Sequence, residues 1–341
     1  MKVLLTGAGG FVGHHTLAHL LKTTDYEFVV TDSFRHRGNS ARLRSVFEEV
    51  SSASKRVKVV THDLTTPIDS VTSREFGEIK IIISMASESH VDRSISEPRN
   101  FIENNTNLIL TLLDYSRQLK GLELFLQIST DEVYGPAPSG ILHKEWDPFF
   151  PSNPYSASKA AQESICYAYW RTFGIPLILT NTMNIIGERQ DTEKFIPKVI
   201  GHLLNGKPIP VHAKKKDNGW ISGSRYYLHA RNQADALRYL IMNKHDLQLS
   251  YCDDNSYLEK FHVVGEKEVS NEEMVNMLAK FIGAEPLIQF TDFHSSRPGH
   301  DLRYALDGGK LRTFGWTPPL KLEDSLAKTV KWYLNNRNWV I

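Results

Sequence analysis

Lys2-Val-Leu-Leu-Thr6, followed at once by Gly7-Ala-Gly9-Gly10-Phe11-Val12-Gly13, opens the chain, and the order of these two pieces decides the fold. A short apolar run ended by glycine reads as a buried strand. The glycines then fall at G-x-x-G-x-x-G spacing. Gly7 can make the tight turn out of the strand, Gly10 lets the backbone approach a pyrophosphate, and Gly13 lets the next helix pack on the strand. The stretch His14 to Lys22 predicts that helix, whose free N–H groups and positive end would face the phosphates. A glycine-rich turn can precede any helix, so the motif gains weight from standing directly after the first strand. Gly7, Gly10, Phe11, Val12 and Gly13 are therefore the first candidate cofactor contacts.

Working outward, Tyr26 to Thr31 predicts a second strand, and it ends in Asp32, nineteen positions past Gly13. An acidic group at that distance grips adenosine ribose hydroxyls and repels a 2′-phosphate, which favours NAD over NADP. Arg35 and Arg37 just beyond could accept such a phosphate or be plain loop residues. A third strand (57–61) delivers Asp63 and Leu64 to the adenine side, and a fourth (79–84) runs into Met85-Ala-Ser-Glu88. Strands alternating with helical patterns through about residue 180 predict an α/β fold, a doubly wound parallel sheet of Rossmann type. The chain then loosens into shorter elements. The expected organisation is a NAD-binding part over 1–181, with a return over about 226–262. A smaller, interleaved C-terminal substrate-binding region would cover 182–225 and 263–341. No linker, repeat or low-complexity segment separates these parts.

Composition narrows the function. The 341 residues carry 40 Lys and Arg against 39 Asp and Glu, a net charge of +1, which offers no footprint for nucleic acid. Lys214-Lys215-Lys216 is a basic run in a Lys/Asp/Asn/Gly segment and reads as a solvated loop. No apolar stretch reaches the length of a membrane span, and the N-terminal strand is too short for a signal peptide. Cys166 and Cys252 lie far apart without metal-ligand spacing. A metal-free protein of the cytoplasm is the expectation.

The chemistry sits at Ser129-Thr130-Asp131-Glu132-Val133-Tyr134-Gly135, after the apolar run Leu124 to Ile128, and at Tyr155-Ser-Ala-Ser-Lys159. Tyr155 and Lys159 are i,i+4 partners, so a helix places them on one face. A lysine ammonium beside a phenol stabilises the phenolate and makes the tyrosine a usable base. That pair suits taking a proton from an alcohol while hydride leaves the same carbon. Two adjacent carboxylates, Asp131 and Glu132, imply a second proton-transfer task beyond alcohol oxidation. The bland alternative is a pair of solvated carboxylates at a strand end.

Here the chain resembles the nucleotide-sugar 4,6-dehydratases of the extended short-chain dehydrogenase/reductase family, whose glycine spacing it shares. The resemblance is close to full length and strongest at 1–14, 84–105, 128–200 and 297–340. It includes Arg297-Pro-Gly-His-Asp301-Leu-Arg303-Tyr304-Ala-Leu-Asp307, a turn whose Arg297 can bind a diphosphate bidentately. The resemblance implies that Tyr155, beside Lys159, takes the C4 hydroxyl proton while hydride passes to NAD, with Thr130 holding the same oxygen. Glu132 would remove the C5 proton, and Asp131 would protonate the departing C6 oxygen. Hydride return to C6 with reprotonation of C5 then gives an NDP-4-keto-6-deoxyhexose, a lyase outcome in deoxysugar biosynthesis. Ala86 and Ser87 would lie along the nicotinamide ribose, with Asn105 closing the pyrophosphate loop. Ser89, Asn184, Lys194, Phe195, Arg225, Arg297 and Tyr304 would contact the nucleotide-diphosphate sugar, dTDP- or UDP-glucose. A homodimer through the helices of 98–118 and 154–171 is implied as well.

There are departures from the family pattern. Met183 replaces a small polar residue, Ile185-Ile186 replace Asn-Tyr, and Ser84 replaces a frequent histidine. His229-Ala230-Arg231 stand where a tyrosine and an acidic residue are common, and 213–224 looks inserted beside the nucleotide pocket. None removes a catalytic group. The rival readings are another sugar-modifying member of the superfamily (a 4-epimerase, a decarboxylase, or a 5,6-dehydratase on an N-acetylhexosamine) and a non-enzymatic NAD-bound scaffold. Related epimerases have the Tyr/Lys pair but typically lack the acidic pair, and scaffolds usually lose a catalytic group.

Overall fold

The first strand is apolar on both sides because it is covered on both sides. In the computed structural model, which describes residues 1–35, 38–217, 219–292 and 300–340, β1 (Lys2–Thr6) pairs in parallel with β2 (Glu27–Asp32) and β4 (Ile81–Ser84). Successive side chains of a strand point to opposite faces. Val3, Leu5, Phe28 and Val30 enter the core layer under α1 (Phe11–Thr23) and α2 (Ser40–Glu49). Leu4, Val29 and Ile82 enter the layer on the other face. Burying each such side chain is worth about 1.5–3 kcal/mol, so the continuous apolar run is what a doubly covered sheet requires.

The chain proceeds through α3 (Ala53–Arg56), β3 (Val57–Thr61), α4 (Ser70–Phe76), α5 (Val91–Ser96), α6 (Pro98–Ser116), β5 (Leu124–Thr130), α7 (Pro154–Phe173) and β6 (Leu177–Thr182). The resulting sheet has seven strands in the order β11-β6-β5-β4-β1-β2-β3, all parallel, with β11 (Glu259–Val263) completing one edge. From β1 the chain winds first toward β3 and then, from β4, the other way. This reversal between β1 and β4 opens a crevice at the carboxy ends of the strands, where such sheets hold ligands.

α7 begins where it does for a local reason. The Asn153 side chain accepts from Ser156 N, Ser156 reciprocates in a capping box, and Pro154 stands in the first turn. It ends at Gly174, whose φ of 66° lies in the left-handed region.

The smaller region is built on β7 (Asn184–Ile186), α8 (Phe195–Leu204), β8 (Ile209–Lys216), β9 (Gly219–Ser222), β10 (Ser224–His229), β12 (Glu268–Ser270), α10 (Asn271–Ile282) and β13 (Ile288–Asp292). Two three-stranded sheets, β12-β10-β7 and β13-β8-β9, pack with α8, α10 and the C-terminal helix Leu322–Asn335 around Val199, Ile200, Met274, Leu278, Leu326 and Val330. The expected return at about residue 226 falls within β10, which pairs in the smaller sheet. The chain rejoins the main layer with α9 (Ala230–Met242), whose Leu237 and Leu240 share the core of α1.

Lys214-Lys215-Lys216 are not in a loop. They form the end of β8, with Lys214 opposite Ile221 and Lys215 opposite Trp220 in an antiparallel hairpin. Composition suggested a loop because the lysines are solvated, but the ladder is made by the backbone and anchored by Trp220 stacking on Phe290. No described helix is long and apolar enough to cross a membrane.

Candidate active site

The glycine loop closes against the end of β1. Gly7, at φ 70°, donates its N–H to the Thr31 carbonyl at 2.8 Å, and Gly10 N donates to Gly7 O at 3.0 Å. A Cβ on Gly13 would collide with the Gly7 carbonyl oxygen and come within 2.9 Å of Ala8 Cα. The Asp32 carboxylate accepts from Gly9 N at 3.0 Å and Phe34 N at 2.8 Å, which fixes it at the rim of the loop. Gly7, Gly10, Phe11, Val12, Gly13, Asp32, Asp63, Leu64, Ala86 and Ser87 all line one cleft of ≈ 350 Å³. A glycine cradle with no room for side chains, ending at a fixed carboxylate, fits a dinucleotide.

Arg35 is engaged, its guanidinium donating to Asp63 at 2.8 Å. Burial works against the Asp63 carboxylate, but bonds from Thr65 and the Arg35 charge hold it below the usual range. Arg37 lies outside the described residues. Asn105 does not reach the cleft. Its amide sits beneath, bonding both the N–H and the carbonyl of Glu88 and donating to Ser158 Oγ at 2.8 Å, so it braces the cleft wall from behind.

At the carboxy end of β5, Thr130, Asp131 and Glu132 meet Tyr155 and Lys159 of α7 in the same cleft. Thr130 Oγ1 donates to Asp131 Oδ1 at 2.9 Å, while Asp131 Oδ2 is buried without a hydrogen-bond partner. Burial and the Glu132 charge push the Asp131 carboxyl up to about 7. Burial raises Glu132 too, opposed by a hydrogen bond from Asn153 at 3.3 Å and by the charges of Arg225 and Lys194. The two carboxyls are thus in different states of support, the condition for one to act as acid and the other as base.

The Tyr155–Lys159 pair differs from the expectation. Burial, then Glu132 and Asp131, push the Tyr155 phenol above its ordinary value, opposed only by a hydrogen bond with Thr130. Lys159 donates to the Ile128 carbonyl at 2.7 Å and Gln162 Oε1 at 2.6 Å, and burial lowers it to about 8. Helical spacing put the two side chains on one face but could not report that the ammonium is engaged by its own neighbours.

Ser89, Asn184 and Lys194 line the same cleft, and the Lys194 ammonium donates to the Ser89 carbonyl at 3.0 Å. Phe195 starts α8 and packs toward the apolar core of the smaller region instead. Arg225 lies 4.6 Å over the Tyr304 ring and donates to the carbonyls of Ser224, Asp301 and Leu302, a bracing position behind the cleft. Tyr304 is buried, with the Glu132 charge near enough to raise its phenol further after burial. Arg297 lies outside the described residues. Among its described residues, the 213–224 segment, expected at the nucleotide pocket, contributes none to the lining of this cleft.

The His229 and Arg231 departures gather around the buried Glu188, His229 fully buried and Arg231 partly exposed. His229 Nε2 stands 3.1 Å and Arg231 Nη2 3.2 Å from the Glu188 carboxylate, and His15 Nε2 lies 2.9 Å from the Glu188 carbonyl. Sequence reasoning missed Asn153 and Gln162, which hold Glu132 and Lys159. Asn153 was legible as a helix cap before Pro154, but its second task depends on the folded turn. Among the described residues no cluster of His, Cys, Asp and Glu could hold a metal ion.

A model of the GDP-mannose 4,6 dehydratase family matches residues 4–329. The dTDP-glucose 4,6-dehydratase of Salmonella typhimurium is 33% identical, the alignment covering 100% of this chain and 94% of that protein. The Arabidopsis thaliana trifunctional UDP-glucose 4,6-dehydratase/UDP-4-keto-6-deoxy-D-glucose 3,5-epimerase/UDP-4-keto-L-rhamnose-reductase is 32% identical over 99% of this chain and 48% of that protein. The structure of DesIV, the dTDP-glucose 4,6-dehydratase of Streptomyces venezuelae, solved with NAD bound, superposes with a TM-score of 0.84 at 33% identity, covering 99% of this chain and 98% of that one.

Proposed function

This chain belongs to the GDP-mannose 4,6 dehydratase family, and we propose that Thr130, Asp131, Glu132, Tyr155 and Lys159 perform its three-stage chemistry on a bound nucleotide sugar. The chain is a NAD-dependent NDP-hexose 4,6-dehydratase, a lyase, with the nucleotide base to be chosen between thymine and uracil. The observation that carries the residue assignment is the Asp131–Glu132 pair held beside Tyr155 in one cleft with the glycine loop.

The glycine loop, Asp32, Asp63, Leu64, Ala86 and Ser87 would hold NAD. When bound, NAD⁺ would supply the acceptor and later donor of hydride, together with the positive charge of its nicotinamide ring. Tyr155 takes the proton of the C4 hydroxyl, and Thr130 orients that oxygen. Because burial opposes the phenolate, this step needs positive charge nearby, and Lys159 on the same helix face is this chain's own source. The C4 ketone acidifies the C5 proton, which Glu132 removes. Asp131 holds its proton to about pH 7 and delivers it to the C6 oxygen as water leaves. Ser89, Asn184 and Lys194 are assigned to the sugar diphosphate and Arg297 to the nucleotide end, while Arg225 and Tyr304 brace the wall behind them and Phe195 belongs to the core of the smaller region. Asn105 acts by bracing Glu88.

Two finer readings go with this function. The free thiols Cys166 and Cys252 suit the reducing cytoplasm. The exposed Ile102 of α6 and Tyr167 and Phe173 of α7 suit a homodimer built on those two helices.

Incubation with dTDP-glucose and UDP-glucose in parallel, read by product mass, tests the function. Loss of one water without net NADH from one substrate supports it and chooses the nucleotide. An unchanged mass with altered sugar stereochemistry would move the chain to epimerase chemistry.

A further inference from the structure

Tyr155, Lys159 and Glu163 fall at successive i,i+4 positions, a ladder down one face of α7. Its lower end is sealed inside the molecule. Glu163 is 2% exposed, Lys260 of β11 is 0% exposed, and the Lys260 ammonium stands 2.7 Å from Glu163 Oε2. Glu163 Oε1 accepts from Asn181 Nδ2 at 2.7 Å, and that same amide donates to the Thr130 carbonyl at 2.9 Å. The rings of Tyr134, Trp146 and Phe149 lie 4.8, 5.3 and 4.8 Å from the Lys260 ammonium. Tyr134 closes the turn that carries Asp131 and Glu132. One ion pair therefore touches the helix of Tyr155 and, through Asn181 and Tyr134, both ends of the acidic turn.

Desolvating two charges at this depth costs several kcal/mol, and an apolar pair of similar volume is often as stable. Apolar side chains could fill the space, but they could not set a fixed negative charge one helical turn below Lys159. Resting on the dehydratase reading, we propose that Glu163 and Lys260 are positioning residues for the reaction: Lys260 fixes the Glu163 carboxylate, and that carboxylate keeps Lys159 an ammonium in line with the acidic turn.

The electrostatics agree in direction. Burial draws Lys159 down to about 8, and Glu163 is the first of the groups that oppose it. The other ionisable groups packed around the ladder are Asp131, Glu132 and Tyr134 in the turn, Cys166 on α7, Glu145 and Asp147 after the turn, and His262 on β11.

The test compares wild type, Glu163→Gln and the double variant Glu163→Gln/Lys260→Met, which leaves no unpaired buried charge. The Lys159 titration is read by NMR of lysines carbon-13-labelled at Cε, with its signal assigned by its loss in Lys159→Met. The Lys159 midpoint is expected to fall by about one pH unit in both variants, with the alkaline limb of turnover following it. The double variant should unfold near the wild-type denaturant concentration. An unmoved midpoint in either folded variant overturns the proposal, because a packing role would not shift it but would alter stability. Wild-type product mass, read on the same preparation, reports separately on the dehydratase reading; its failure would leave the titration result standing.

Discussion

Asp131 shows how one residue's burial sets both chemistry and stability. Its folded pKa of about 7 lies above the unfolded value of about 3.9, so the protonated form is favoured by folding. The associated stability is fully present below about pH 4 and is lost as pH rises through 7. Asp131→Asn removes this cost, and denaturant unfolding should find the variant more stable than wild type at pH 8 by on the order of 2–4 kcal/mol, with little difference at pH 4. The same substitution removes the group proposed as the acid for C6, so product formation should slow by roughly 10²–10⁴-fold. A variant with neither the stability gain nor the activity loss would remove Asp131 from its role. Asp131 and Glu132 were visible in sequence as a pair, but their separate states of support were not. Those states come from burial of both groups, from the Glu132 charge beside Asp131, and from Asn153, which reaches Glu132 only once the turn has folded.

At the scale of the element, the glycine loop works by how closely it approaches the helix that follows. A methyl group at Gly13 meets the Gly7 carbonyl, which is backbone and cannot swing aside. Gly13→Ala should therefore destabilise by about 1–3 kcal/mol and abolish NAD binding. At Gly10 a Cβ would meet only the Gly7 carbonyl, at 3.0 Å, and the effect on thermal unfolding should be milder. Calorimetric titration with NAD and thermal melts read both, and equal behaviour of the two variants would contradict this account. The elements of the sheet half were legible because their patterns are local: apolar runs, glycine spacing, and Asn153-Pro154 at the start of α7. The β8–β9 hairpin was not, since solvated lysines give a strand no apolar alternation to read.

Across the whole molecule, the loop of residues 187–191, between β7 and α8 of the smaller region, is gripped from both halves beside the cleft. Arg42 of α2, almost wholly buried, donates to the Arg189 carbonyl from Nε at 3.0 Å and Nη2 at 2.9 Å, and stands 3.0 Å from Asp191. The C-terminal helix holds the same loop through Tyr333, whose hydroxyl accepts from Gln190 N at 3.1 Å. Asp191 and Gln190 line the cleft, so Arg42 clasps its far wall. Arg42→Ala leaves Asp191 without this partner and should cost about 3 kcal/mol in denaturant unfolding. It should also speed the exchange of bound for labelled NAD, and an unchanged exchange rate would show that the clasp does not hold the cofactor. For the assembly, Tyr167→Glu should lower a dimeric sedimentation mass to that of one chain of 38.8 kDa. A wild-type chain that is already monomeric at micromolar concentration would remove the dimer reading.

The sequence by itself determined the strand and helix alternation through about residue 180, the glycine cradle, Asp32, and the residue types proposed for the chemistry. Each of these is written in short-range spacing, which backbone geometry converts directly into position. Only the tertiary structure decided that Asn105 braces the cleft from behind, that Lys159 is engaged by Ile128 and Gln162, and that Glu188 gathers His15, His229 and Arg231. It alone paired Glu163 with Lys260, ninety-seven positions apart. The physical reason is burial. A charge's behaviour depends on the dielectric and partners around it, and those are assembled from distant segments that no local pattern brings together.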